Sequence, residues 1–203
     1  MASDAPIQSL RYVVLDTELT SLDSRTNRLL SLGAVVMRGP SIQLGEQFYR
    51  VVNPQVPIPA ETVVIHKLRA EDLKEGEPLE PVLREFNQFV GDAVLVGHFV
   101  DIDAKVLRKE MHAFSLSLDN PVVDTARVHA WLLRHSLYSE ELHVQLAATD
   151  LASVARAYRV NAGDVHHALA DAFVTAQIWQ KMLPSLKAHE IQSLRKLLRI
   201  GAP

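Results

Sequence analysis

The run Tyr12-Val13-Val14-Leu15 has no polar interruption, the pattern of a strand covered on both faces, and an acid, Asp16, follows it at once. Ala93-Val94-Leu95-Val96 repeats that character and leads into Gly97-His98. Leu29 to Met37 and Gln47 to Val52 read as two further strands, with the polar SLDSRTN turn between the first two, and Pro121 to Asp124 reads as a short fifth. The period becomes helical over Pro81 to Val90, where Val82, Leu83, Phe86, Phe89 and Val90 share a face, and again from about Asp101 to Met111. Further helices are predicted near Ala70, after Asp124 through Leu133, over Asp150 to Tyr158 and Ala168 to Leu183, and beyond Pro184. NPQVPIPAET carries three prolines, so it predicts an ordered loop leading to His66. Three early strands followed by alternating strands and helices predict an α/β fold, a mixed central sheet flanked by helices.

Composition narrows the picture. With 203 residues, 48% of them hydrophobic, and no linker-like stretch, residues 1–203 read as one domain, with a core over about 11–183 and a C-terminal helix over about 184–200. The balance of 21 basic and 24 acidic residues, formally -3, offers no global positive field, so any contact with a polyanion must be local. The absence of cysteine excludes disulfides, thiolate metal sites and cysteine nucleophiles. MASDAPIQSL lacks a leader's basic and apolar regions, and no apolar run is long enough to span a bilayer, so the expectation is a cytoplasmic protein with no membrane partner.

Candidate chemistry gathers at three places. Asp16 and Glu18 stand two apart, so on a strand they leave the same face while Thr17 leaves the other. Crowded carboxylates at a sheet's end raise a pKa or recruit a cation, and a Mg²⁺-type ion prefers hard oxygen ligands. The pair alone also fits a strand leaving the core, with Asp16 capping a turn and Glu18 solvated. Asp103, at the start of a helix after the second buried run, either serves free N–H groups there, in competition with Asp101, or meets Asp16 if the two strands are neighbours. Asp171 borders the apolar face of Leu169, Ala172, Phe173, Ala176 and Leu183. His166, five residues earlier, falls in the preceding loop, where it either leans over the acids or sits at the surface. Zinc at His166-His167 is disfavoured, since adjacent residues diverge on a helix and there are no thiolates. The basic amphipathic segment beyond Pro184, with Leu194, Leu197, Arg195 and Lys196, reads as packing for the domain's end.

The blocks V-L-D-T-E-L-T-S-L, G-H-F-V-D-I-D-A-K-V-L and H-H-A-L-A-D-A, in this order, resemble the three motifs of the DEDDh, or DnaQ-like, 3'-5' exonucleases, a family that includes the proofreading epsilon subunit of bacterial DNA polymerase III. The resemblance runs over about residues 11 to 183 and implies a ribonuclease H-like fold. It implies Asp16, Glu18, Asp103 and Asp171 as ligands of two divalent ions, Mg²⁺ or Mn²⁺, and His166 as general base. The implied reaction is hydrolysis at the 3' end of single-stranded nucleic acid, DNA rather than RNA, releasing nucleoside monophosphates. Thr20, Leu22 and His66 match positions that contact the terminal nucleotide in relatives. Ser21 and Lys67 stand where glycine is usual, Leu19 where threonine is frequent, and Phe99 where asparagine is usual, and these departures bear on how the terminal nucleotide sits. An epsilon-like role implies a DNA polymerase as partner; with no long tail after the last helix, a free-standing exonuclease or a homodimer is the favoured expectation. The rivals are a polymerase-associated or nucleic-acid-binding module with secondary catalysis, and a phosphatase acting on small nucleotides.

Overall fold

The computed structural model describes residues 4–21, 23, 26–56, 68, 70–135, 148–163 and 166–203. Among these residues five strands form one mixed sheet: β1 (Arg11–Leu19), β2 (Leu29–Arg38), β3 (Ser41–Val51), β4 (Val94–Gly97) and β5 (Val122–Asp124), in the spatial order β3-β2-β1-β4-β5. β1, β2 and β3 pair antiparallel, whereas β4 and β5 join parallel to β1 through helical crossovers. β1 pairs with β4 only over Tyr12 to Val14, so its acidic end runs on beyond β4.

Among the described residues the helices are α1 (Ala70–Lys74), α2 (Leu79–Val90), α3 (Asp101–His112), α4 (Thr125–His135), α5 (Leu151–Ala157), α6 (Ala168–Ala188) and α7 (Leu194–Gly201). They cover both faces of the sheet, and β1 alternates between the two cores. Tyr12 and Val14 pack with Val128 of α4, Val154 of α5, Trp179 of α6 and Leu197 of α7. Val13 and Leu15 pack with Phe86 of α2 and Leu107 of α3. The start of β1 is tied to the end of α2, where the Arg11 guanidinium donates to the Val90 and Phe89 carbonyls at 2.6 and 2.8 Å, a cation at a helix C-terminus. Leu194 and Leu197 bury the apolar side of α7, so the basic C-terminal helix packs the end of the domain, and Arg195 pairs with Asp4 at 2.7 Å.

Boundaries differ from the sequence expectation at β3 and around Pro184, where the C-terminal helix expected over about 184–200 begins only at Leu194. β3 begins at Ser41 rather than Gln47, following a two-residue turn at Gly39 (φ 53°) and Pro40. Its first half, Ser41 to Glu46, lies at the sheet edge and is largely solvated, with Leu44 exposed and only Ile42 packed against a core. α6 continues through Pro184 to Ala188 because Met182, Leu183 and Leu186 are buried in one core, which outweighs the hydrogen bond lost at the proline. Among the described residues no helix is long and apolar enough to cross a membrane.

Candidate active site

The parity of β1 sets out the acids. Asp16 and Glu18 continue the Tyr12 and Val14 face, toward α6, while Thr17 continues the Val13 and Leu15 face, toward α3. From α6 comes Asp171, in the opening turn of the helix. That turn lies directly on β2 at Gly33: a β-carbon there would stand 2.2 Å from the Leu169 nitrogen and 2.3 Å from the Ala168 carbonyl carbon. Gly33 is the register partner of Asp16, so the missing side chain is what lets Asp171 reach the acidic end of β1. One carboxylate oxygen from each of Asp16, Glu18 and Asp171 lies within 4.8 Å of the others.

Asp103 arrives from the other face and stands outside that trio. It is a buried residue near the start of α3, and its Oδ1 accepts from the Thr17 amide at 3.1 Å and from the Thr17 hydroxyl in a short contact. Thr17, the residue between the two acids, therefore anchors the fourth. The signal for it was the alternation itself, which sends Thr17 toward whatever covers the opposite face.

Electrostatics express the crowding. Burial, then the charges of Asp103, Asp171 and Glu18, hold Asp16 well above the usual carboxylate range. Burial, with Asp171 and Asp103, raises Glu18 to about 7. Asp103 is raised to about 6 by burial, against the pull of the Thr17 hydrogen bonds. Asp171 is raised by burial, opposed by the His166 amide, which donates to Oδ2 at 2.7 Å. Its Oδ1 is buried with no hydrogen-bond partner. Among the described residues no lysine or arginine forms an ion pair with any of the four acids. The site is a concentration of hard oxygen atoms whose shared negative charge is not paired with a lysine or arginine among the described residues.

Around it, His166 is exposed and adopts a positive φ of 78°, its backbone held to Asp171 while the ring stays solvent-accessible. His167 caps α6, its Nδ1 accepting from the Ala170 amide at 3.4 Å, and its ring stacks on Tyr49 with centroids 4.6 Å apart. Tyr49 in turn has its pKa raised by burial and by Glu18, so β3 and the α6 cap form a wall beside Glu18. Sequence reading passed over both Tyr49 and this role of His167, since a tyrosine in an edge strand carries no mark of what it will face. Thr20 is buried, and its hydroxyl accepts from the Arg28 amide at 2.9 Å, closing the loop after β1. Leu22 and His66, the other two positions expected to contact a nucleotide, lie outside the described residues, as does Lys67.

The profile of the exonuclease family RNase_T matches residues 13–179. The chain belongs to this family, in its DnaQ-like branch. It is 30% identical over 176 residues to a DNA polymerase III subunit epsilon of Aquifex aeolicus, an alignment covering 86% of this chain and 81% of that protein. It is also 30% identical over 201 residues to a DNA polymerase III subunit epsilon-like protein of Rhodobacter capsulatus, which takes in 97% of this chain. The chain spans only 27% of the length of the Rhodobacter protein, and 12% of a PolC-type DNA polymerase III from Clostridium perfringens, to which it is 28% identical. Among solved structures, E. coli exonuclease I in complex with a dT13 oligonucleotide superposes with a TM-score of 0.75 at 15% identity, covering 90% of this chain and 43% of that one. Cell-death related nuclease 4 gives 0.74 at 16% identity, covering 87% and 64%. At such identities the structures speak for the fold, which is ribonuclease H-like.

Proposed function

We propose that the protein is a metal-dependent 3'-5' exonuclease, its 203 residues acting as one exonuclease domain that releases nucleoside monophosphates from the 3' end of single-stranded nucleic acid, DNA in preference to RNA. The observation that carries this reading is the meeting of Asp16, Glu18 and Asp171 oxygens within 4.8 Å, with Asp103 approaching from the opposite face of the sheet. The donor set fits hard divalent cations: every candidate ligand atom is a carboxylate oxygen, the charges raise one another's pKa values, and a buried Asp171 oxygen has no partner. Asp16, Glu18, Asp103 and Asp171 would hold two ions, Mg²⁺ or Mn²⁺, which when bound neutralise charge at a phosphodiester and acidify water.

The chain's own groups do the rest. The exposed His166 ring takes the proton of the attacking water, and the bond from its amide to Asp171 fixes where the ring starts. Thr17 fixes the Asp103 carboxylate. Thr20, Leu22 and His66 contact the terminal nucleotide. A strand end that must enter a cluster at the end of the central strand is more easily supplied by a single strand than by a paired one.

A second reading, a proofreading module that works beside a DNA polymerase, is favoured by the 30% identity to a named DNA polymerase III subunit epsilon over 81% of that protein's length. The free-standing form would act alone or as a homodimer. Digestion of 3'- and 5'-labelled DNA and RNA oligomers with Mg²⁺, Mn²⁺ or chelator tests the main reading. The expected result is stepwise loss from the 3' end, faster on single-stranded DNA and abolished by chelator. Attack from the 5' end, undiminished activity in chelator, or hydrolysis of mononucleotide esters alone would reject it.

A further inference from the structure

Phe99 is a large apolar side chain in a costly place. It follows β4, adopts a φ of 52°, and remains 48% exposed. The left-handed region is unfavourable for a bulky side chain and most tolerable for glycine or asparagine, so nothing in local backbone preference calls for phenylalanine here. Burial does not call for it either, because Phe99 belongs to neither core. The surroundings nevertheless hold it in position. Its amide donates to Asp124 Oδ1 at 3.2 Å, and its ring sits edge-on against His98 at 4.8 Å between centroids. His98 is itself locked, its ring nitrogens 2.9 Å from the Thr125 hydroxyl and 2.7 Å from the Thr149 carbonyl. A strained backbone, a fixed pedestal and an open ring are the features of a functional outlier rather than a packing one.

The location gives the ring a task. β4 runs parallel to β1, so Phe99 emerges at the same end of the sheet as Asp16. Asp103 is four residues further on, which limits the separation of their α-carbons to about 14 Å. At roughly 3.4 Å per stacked nucleotide, that is at most about four nucleotides from Asp103.

We propose that Phe99 is a stacking platform for a nucleobase of the single-stranded substrate, upstream of the bond to be cut. The inference rests on the nuclease reading for its substrate class. Base–aromatic stacking depends on a π-face and not on sequence, so the contribution is to affinity and not to base choice.

The test uses the full chain with Phe99→Ala, Phe99→Asn and Phe99→Trp. Fluorescence anisotropy with a labelled dodecathymidylate in a Glu18→Gln background reports affinity, steady-state digestion separates KM from kcat, and thermal unfolding reports stability. Phe99→Ala is expected to weaken binding about 5- to 150-fold, mostly through KM. Phe99→Trp is expected to restore binding. Phe99→Asn is expected to raise Tm while weakening binding as alanine does, a trade-off that a merely structural phenylalanine would not show. Affinity in Phe99→Ala within twofold of the parent, or equal losses in the alanine and tryptophan variants, overturns the platform. If the parent binds through Phe99 yet no variant or wild type cuts, the platform stands and the nuclease reading falls; if the parent does not bind the oligomer, both fall.

Discussion

The two faces of the sheet contribute acids to the same end of β1 in opposite ways. On the α6 face, Asp16, Glu18 and Asp171 crowd within 4.8 Å, and the His166 amide donates to Asp171. On the α3 face, Asp103 is single and already has two donors from Thr17 on one oxygen. Asp103 shares in the repulsion, its charge acting on Asp16 and Glu18, but Thr17 offsets part of its cost. A protein that wanted only a stable strand end would use the second device throughout, as Asp124 does at the end of β5, where one oxygen accepts from the Phe99 and Ala126 amides. The crowded trio is the part that asks for a cation, and the anchored acid is the part that is already in position.

Asp171→Asn should break this contrast most severely. Its oxygen can still accept from the His166 amide, and its new amide can donate to Asp16 or Glu18, so the fold should persist while Mg²⁺-dependent hydrolysis disappears. The metal-free variant should also be more stable than the parent, because one of three mutually repelling charges is gone, at about 2–4 °C in Tm per kcal/mol for a chain of this size. Asp103→Asn should lose activity as well but gain less Tm, since the Thr17 hydrogen bonds already offset part of that charge's cost. Activity assays paired with thermal melts in chelator check both. Equal Tm gains in the two variants would mean that the faces do not differ as argued, and retained hydrolysis would reject the site.

Thr17→Val comes next in size. It removes the hydroxyl and keeps the β-branched shape, leaving the amide as the one donor from this residue to Asp103. Loss of a group that orients a ligand costs about 10- to 100-fold in metal affinity or activity. Calorimetric titration of Mn²⁺ together with kcat should show that loss, and Thr17→Ser should recover most of it. If valine is as active as threonine, Asp103 is held by helix packing and not by this residue.

The sequence made the ends of the argument legible and left the middle obscure. β1 and β4 could be read as buried strands because both are uninterrupted apolar runs with both faces covered, and the acids at their ends stood out against that background. The first half of β3 is not legible because at an exposed edge only Ile42 packs against a core, too little to mark a strand. Gly33 sits in LLSLGAVVM as one small residue among large ones, and only the position of α6 reveals that its lack of a side chain brings Asp171 to Asp16. Thr17 was legible in direction but not in partner, since parity says which face a residue leaves and not which helix covers it. Phe99 could be flagged as a departure where asparagine is usual, but its positive φ and its exposure belong to the folded chain.

The smallest expected effect is on stability against pH, and it separates stored repulsion from a site that is simply buried. Glu18 titrates at about 7 in the folded protein against 4.5 for the free side chain, so the folded state binds the proton more tightly than the unfolded one. The stability linked to that proton is full below about 4.5 and is lost as pH rises through about 7. Asp103 adds the same sign of dependence between 3.8 and about 6. In chelator, the Tm difference between wild type and Glu18→Gln should therefore widen in favour of the variant from pH 5 to pH 8, by a few degrees. Adding Mg²⁺ should raise the wild-type Tm more at pH 8 than at pH 5, because cations then take the place of the protons. A difference that stays flat over this range would mean that Glu18 is solvated and carries none of the crowding, and the α6 face would lose its distinction from the α3 face.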